Sequence, residues 1–237
     1  MRRERRIGVS GFTLIEVLVA LGILALMAVM SWRGLDGMAR SQVQTQQRTD
    51  EVQTLQTGMA QWGADLDALM PQVQGNSIEW DGLVLRLTRR SSAADADGLL
   101  VVGWTRRIID GTGYWIRWQS PPLRSRTALT EAWQQAGLWA QNPDDAARKR
   151  EVVIVPLDQW QIFFFRNDAW SNPQSSAGVV PALPAAAASA AGPAPGLSSA
   201  QPIPEGVRLV LTLPSGQALS GTLTRDWVRP TLGGGKS

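Results

Sequence analysis

Glu16 is the ionisable residue with the most unusual surroundings in this sequence. It lies within the run from Phe12 to Met30, in which Thr13 is the only other polar side chain. A carboxylate inside a membrane-spanning helix costs about 2.5–3.5 kcal/mol on insertion scales, so it requires a partner and indicates a function. The ordinary alternative is an acidic residue that the helix dipole favours near a helix N-terminus.

Two residue types that often carry catalysis are missing. The 237 residues include no cysteine and no histidine. Ser-His-Asp and Cys-His sites, thiol redox motifs, disulfides and nearly all structural zinc sites are therefore excluded. Among the carboxylates, Asp36, Asp65 and Asp67 suggest no acid/base dyad, and no motif positions a glycosidase-type pair. We expect no enzyme activity, no catalytic residue, no cofactor and no metal ligand.

A calcium loop and a nucleic-acid site are the remaining candidates. Asp95 and Asp97 alternate as calcium ligands do, but the later ligands of such a loop are absent, which favours a hairpin turn. The short basic runs 106–107 and 148–150 are predicted to be solvated. The net charge of +3 equals that of residues 1–11, which hold four arginines and one glutamate. The excess therefore predicts no nucleic-acid partner.

The segment around Glu16 has the length and flanks of a membrane span. As a helix, the run 12–30 would extend roughly 28 Å, close to the thickness of a hydrocarbon core. Arg2, Arg3, Arg5 and Arg6 precede it, which predicts a cytoplasmic N-terminus and a translocated C-terminal part. An ordinary cleaved signal peptide is disfavoured, because no convincing small-x-small site follows the run.

The residues Gly11-Phe12-Thr13-Leu14-Ile15-Glu16, after a short basic leader, resemble the processing motif of type IV prepilins and type II secretion pseudopilins. The resemblance implies cleavage between Gly11 and Phe12 by the prepilin peptidase and methylation of the Phe12 amine. It also implies that Glu16 acts in assembly. A cationic N-terminal amine, its own or a neighbour's, would make that buried carboxylate tolerable.

Three further stretches resemble pseudopilin J of the type II secretion system. These are Ser31-Trp32-Arg33-Gly34-Leu35-Asp36-Gly37-Met38, the strand 160–165 and the stretch 203–209. The resemblance implies a minor pseudopilin in the inner membrane, with a periplasmic C-terminal domain, that joins pseudopilins I and K at the tip of a pseudopilus. It implies contacts with the major pseudopilin too, and β-domain surfaces that face neighbours or secreted proteins.

The remaining pattern predicts an α+β fold, with a long N-terminal membrane-spanning helix and an antiparallel β-rich domain of two small sheets. We expect a cleaved leader at 1–11, a transmembrane helix at 12–32, a helical stalk at 33–70 and the β-rich domain at 71–237. The stalk carries an apolar stripe, which favours packing on the protein's own sheet over a coiled coil. Its residues are Val52, Leu55, Met59, Trp62, Leu66 and Leu69.

Within the β-rich domain, Asp81-Gly82 predicts a type I′ hairpin between 78–80 and 83–87. Further strands are predicted at 99–107, 114–119, 151–155, 159–166, 207–213 and 217–225. The last of these could continue to Trp227, and a helix is predicted at 129–141. The Ala/Pro-rich segment 174–204 predicts a disordered insertion.

Two other functions fit parts of the sequence. One is a minor pilin of a type IV pilus or competence system, which would share the processing motif. The other is a periplasmic binding domain or enzyme held by an ordinary signal anchor, which would keep Met1.

Overall fold

The computed structural model describes residues 11–71, 76–91, 98–174 and 202–230. The chain divides into two compact units, residues 1–49 and 50–237. Residues 175–201 of the predicted insertion lie outside the described residues. The same holds for most of the leader and for Asp95 and Asp97.

The helices and strands follow an α+β order, as predicted. The helices are α1 (Leu14–Asp67), α2 (Arg126–Gln141) and α3 (Asp145–Arg148). The strands are β1 (Ile78–Trp80), β2 (Val84–Arg90), β3 (Leu99–Ile109), β4 (Thr112–Gln119), β5 (Glu151–Pro156), β6 (Gln159–Arg166), β7 (Ala169–Ser171), β8 (Gly206–Leu213) and β9 (Gly221–Val228).

The strands form two antiparallel sheets. Sheet A has the order β1-β2-β3-β4-β5, and sheet B has the order β7-β6-β8-β9. All neighbours in sheet A follow one another in the chain. Short turns join β1 to β2 and β3 to β4, whereas α2 and α3 lie between β4 and β5. In sheet B, β6 pairs with both β7 and β8, and the segment 175–201 lies between those two strands in the chain.

The apolar stripe of α1 packs in the main core of the second unit. Leu55, Trp62 and Leu66 are buried together with inward-facing residues of both sheets. Trp62 contacts Trp104 edge-on at 5.3 Å between ring centroids, and Trp104 lies 4.5 Å from Trp115. The prediction that the stripe packs on the protein's own sheet is confirmed, because these two indoles belong to β3 and β4.

A second core covers the other face of sheet A. Ala132, Ala136 and Trp139 of α2 pack there on Ile116 and Trp118 of β4. The small alanines let the helix approach the sheet closely, while the Trp139 ring lies 6.0 Å from the Trp118 ring. Sheet A is therefore buried on both faces, which explains why β3 and β4 contain few exposed residues.

The first hairpin differs from the prediction in its turn type. A type I′ turn needs positive φ at both central residues, but here Gly82 has φ +93° and Asp81 does not. The central pair is Gly82-Leu83, since Trp80 pairs with Leu85, and this matches a type II′ turn with glycine first. The Asp81 carboxylate accepts hydrogen bonds from the backbone N–H groups of Leu83 and Val84.

Several boundaries shift, each for a local reason. Helix α2 begins at Arg126, earlier than predicted, because the Ser125 side chain accepts a hydrogen bond from the Ala128 N–H and caps the helix. Strand β9 begins at Gly221 and includes Trp227. The short β7 was not predicted, although Asn167-Asp168, both with positive φ, is a sequence signal for the tight turn before it.

Leu66→Ala should lower the free energy of unfolding of the full chain by about 2–5 kcal/mol, because it opens a cavity at a fully buried helix position. Leu138→Ala is the matched control, since this leucine of α2 is 67% exposed. We expect the control to change stability by about 0.5 kcal/mol or less. Equal losses in denaturant titrations followed by tryptophan fluorescence would contradict the packing of α1 described here.

Candidate functional site

The predicted processing site lies just before α1 and is fully accessible. Gly11 and Phe12 precede the first helical residue, Leu14, and the Phe12 side chain is 84% exposed. Neither residue is hydrogen-bonded into a helix or strand. An exposed non-helical peptide is the conformation in which a peptidase can reach the bond between them.

Glu16 lies in the first turn of α1. Its backbone N–H donates to the Thr13 carbonyl at 3.1 Å, and the Thr13 hydroxyl donates to the Glu16 carboxylate at 3.4 Å. The spacing from Thr13 to Glu16 is that of a capping box, and the charge is favourable at this end of the helix dipole. The carboxylate is exposed, so it can also meet a cation from outside the chain.

The first part of α1 presents apolar side chains to its surroundings on every side. One 18-residue window has a mean hydropathy of 2.5, and none of it is buried within the protein. This helix is long and apolar enough to cross a membrane. The most exposed large side chains of the segment are Phe12, Leu14, Ile15, Leu26, Met27, Met30 and Trp32.

A buried ionic cluster, missed in the sequence, lies in the second unit around Asp65 of α1. Asp65 is fully buried, and its carboxylate accepts five hydrogen bonds. Arg117 binds it through two nitrogens at 2.8 and 2.9 Å, and Arg89 donates at 2.6 Å. The Trp104 indole and the Gln61 amide, each at 2.9 Å, complete the set.

This cluster joins α1 to three strands of sheet A and has no catalytic geometry. Arg89, Trp104 and Arg117 belong to β2, β3 and β4 respectively. Asp67 lies on a different side, where it accepts a hydrogen bond from the Trp227 indole at 2.8 Å. The expectation that these two carboxylates form no dyad agrees with this placement. The sequence contained a hint of this cluster, because Asp65 directly precedes Leu66 of the apolar stripe.

The two basic runs differ from each other. The prediction of a solvated run is wrong for 106–107: the Arg107 guanidinium pairs with Glu151 at 2.5 Å, and Arg106 donates to the Leu157 carbonyl at 2.8 Å. The reason is that β3 is covered on its sides by β4 and α2, so its long side chains turn toward buried acceptors. The run 148–150 is exposed, as predicted.

Sheet B carries an exposed ion pair beside an aromatic ring. Arg208 binds Asp226 through two hydrogen bonds of 2.7 Å, and its guanidinium lies 4.3 Å from the centre of the Trp170 ring. The hydrogen bonds from Arg208 lower the pKa of the Asp226 carboxyl below its usual value. Screening by solvent keeps the contribution of this pair to stability small.

No three acidic side chains gather into a metal-binding group within the ranges that the structure describes. The Asp95 and Asp97 pair lies outside those ranges. The residues that the structure brings together are therefore Gly11, Phe12 and Glu16 at the start of α1, and separately the Asp65 cluster.

Comparison with known proteins gives a family match at the N-terminus and one similar protein. Residues 8–32 match the family described as "Prokaryotic N-terminal methylation motif". Over 63 residues the chain is 36% identical to the type II secretion system protein J of Klebsiella pneumoniae, which covers 27% of this chain and 32% of that protein. The prepilin-type motif is thus present, and the resemblance to pseudopilin J is confirmed, with the chain spanning about a third of that relative's length.

Asp65→Asn should lower the free energy of unfolding by about 3–5 kcal/mol, because it leaves two buried guanidinium groups without their anion. Asp67 is exposed and lies two residues further along α1. The Asp67→Asn variant keeps an oxygen that can accept the hydrogen bond of the Trp227 indole, so it should cost about 1 kcal/mol or less. Denaturant titration of both full-length variants measures the difference. Equal stability of the two variants would show that the Asp65 pairs do not hold α1 on sheet A.

Proposed function

We propose that this chain is a minor pseudopilin of the type II secretion system, part of the tip complex with pseudopilins I and K that initiates pseudopilus assembly. The observation that carries the proposal is the prepilin-type motif at residues 8–32, together with the similarity of 63 residues to protein J of such a system. The role is one of assembly and not of catalysis. It is consistent with a freely exposed apolar segment at the start of α1.

Processing is the first step of the proposed function. The prepilin peptidase hydrolyses the bond between Gly11 and Phe12, which releases the basic leader and leaves Phe12 with a free amine that is then methylated. The exposed, non-helical Gly11 and Phe12 support this assignment. After processing, the apolar helix remains as the single anchor in the inner membrane, with the C-terminal domain in the periplasm, an orientation that the four leader arginines favour.

Glu16 is proposed to select the correct neighbour during assembly. In an apolar environment its carboxylate is costly unless a cation lies close to it. The N-terminal amine of an adjacent subunit, such as the major pseudopilin, is such a cation, as is the chain's own Phe12 amine. A wrongly docked helix leaves the carboxylate unpaired and is rejected, while the exposed apolar side chains of α1 supply the packing surface.

Glu16→Ala should leave processing intact and reduce incorporation into the pseudopilus. Intact mass spectrometry of the membrane-extracted protein should show loss of residues 1–11 and one added methyl group for both wild type and variant. The amount of variant that co-purifies with the other pseudopilins should fall about tenfold, equivalent to roughly 1.4 kcal/mol of docking free energy. Glu131→Ala, at an exposed position of α2, is the matched control and should co-purify normally.

Normal co-purification of the Glu16 variant would contradict its docking role. An unprocessed Met1 in the wild-type protein would instead indicate a signal-anchored periplasmic domain.

Deletion of the gene should abolish release of secreted hydrolases into the medium, and a plasmid copy should restore it. The sequence has no cysteine, so single cysteines placed on exposed α1 positions such as Met38 form unique crosslinks. We expect crosslinked products with pseudopilins I and K. If secretion survives the deletion while pilus-dependent motility or DNA uptake is lost, the chain is a minor pilin and the proposal is wrong.

A further inference from the structure

Strand β5 is an open edge of sheet A. It pairs with β4 on one side, and no described strand lies on its other side. Its side chains Val152 and Val153 are 59% and 43% exposed. Edge strands are usually protected by charge, proline or a covering element, because their outer backbone groups can pair with another chain. The register of β5 on β4 shifts at Ile154, a bulge of the kind that blunts an edge, but the exposed valines beside it add neither charge nor proline.

A groove separates this edge from the part of α1 that belongs to the same unit. It encloses about 540 Å³, and its walls include Thr54 and Thr57 of α1 and Val152 of β5. Both threonine hydroxyls donate to helix carbonyls four residues back, at 2.8 Å, so their hydrogen-bonding capacity is used within the helix. The exposed surface of the groove is therefore largely apolar, although Asp50, Gln53 and Gln61 of α1 also line it, and the β5 edge forms one margin.

The groove is closed on its inner side by a direct helix–strand contact. A Cβ atom on Gly58 would lie 2.6 Å from the Ile154 side chain, so only glycine allows this approach. The space left is a shallow slot along the strand and not a deep cavity. A slot beside an open strand edge accommodates one extended chain.

The end of the groove where β5 begins is positively charged. Arg117 lies at this end, paired with Asp65 and 11% exposed. Nε and Nη2 of Arg117 donate to Asp65, while Nη1 makes no hydrogen bond to a described residue. Arg117 also borders a neighbouring hollow of about 370 Å³ together with Arg150.

The one acidic residue at this end of the strand is already engaged. Glu151 accepts hydrogen bonds from Arg107 at 2.5 Å and from the Trp139 indole at 2.6 Å. Arg150 is exposed and ends the basic run 148–150. A carboxylate brought to this end would therefore meet Arg117 and Arg150 without repulsion from Glu151.

We propose that β5 binds an extended segment of a partner protein as an added strand of sheet A. The segment has alternating apolar residues that contact Val152 and the groove, and acidic residues that lie beside Arg117 and Arg150. Backbone hydrogen bonds to the β5 edge supply affinity, and the charges set direction and partner choice. This binding site is separate from α1 residues 12–32 and does not depend on the proposed role in secretion.

The test uses the full chain in detergent and a fluorescein-labelled heptapeptide of alternating valine and threonine that ends in two aspartates. In an antiparallel strand these aspartates lie beside the start of β5; a peptide with the aspartates first tests parallel addition. Fluorescence anisotropy should show saturable binding of at least one of them. Replacing both aspartates by asparagine should weaken binding about five- to tenfold.

Protein variants identify the surface. Arg150→Glu should weaken binding of the acidic peptide by a similar factor and improve binding of a lysine-ended version of it. Arg225→Glu, at an exposed position of β9 in the other sheet, is the control and should change the affinity for neither the acidic nor the lysine-ended peptide. Hydrogen exchange should show that bound peptide protects the backbone amides of residues 151–154.

Three results would overturn the proposal. One is peptide binding whose affinity changes neither when the aspartates are replaced nor when Arg150 is substituted. Another is protection confined to other strands. The third is self-association of the full chain, measured by sedimentation, that Val152→Lys abolishes, since this would assign the edge to a second copy.

Discussion

The ionic bonds of the buried Asp65 carboxylate fix the relation between α1 and sheet A. One side chain of the helix binds residues from β2, β3 and β4, so the register of all three strands is tied to a single point on α1. Apolar packing around Trp62 and Leu66 supplies most of the burial, but such packing tolerates small shifts. The bidentate contact of Arg117 with Asp65 does not tolerate such shifts, because its two parallel hydrogen bonds require a defined distance and a common plane.

The tryptophans explain how the second unit holds together without disulfides. Trp62, Trp104 and Trp115 fill the space between α1 and the sheet, while Trp118 and Trp139 fill the opposite face. Each large ring buries about 150–250 Å², so a few of them replace many aliphatic side chains. Trp104 has two roles, since its ring packs in this core while its indole N–H binds Asp65.

The sequence predicted those parts of the fold that depend on local patterns. The apolar stripe of α1 and the strands of both sheets follow spacings that are visible in a single segment, and the N-terminal motif of Gly11, Phe12 and Glu16 is contiguous. The ionic cluster could not be predicted, because Asp65 and Arg117 are 52 residues apart and their meeting depends on the packed fold. Arg107 was misjudged for the same reason: a charge run shows neither which face is covered nor which acceptor lies beneath it. The turn at Gly82 shows the limit of a dipeptide rule, since the strand pairing displaces the turn by one residue.

The position of Asp65 along the chain also sets an order of events during synthesis. Its two cationic partners are 24 and 52 residues further on, so both are made after the helix that they anchor. The β2–β3 and β3–β4 hairpins can form from neighbouring residues, whereas α1 can be fixed to the sheet only once β4 is available. The helix that is synthesised first is thus fixed to the sheet only after the β2–β3 and β3–β4 hairpins are available.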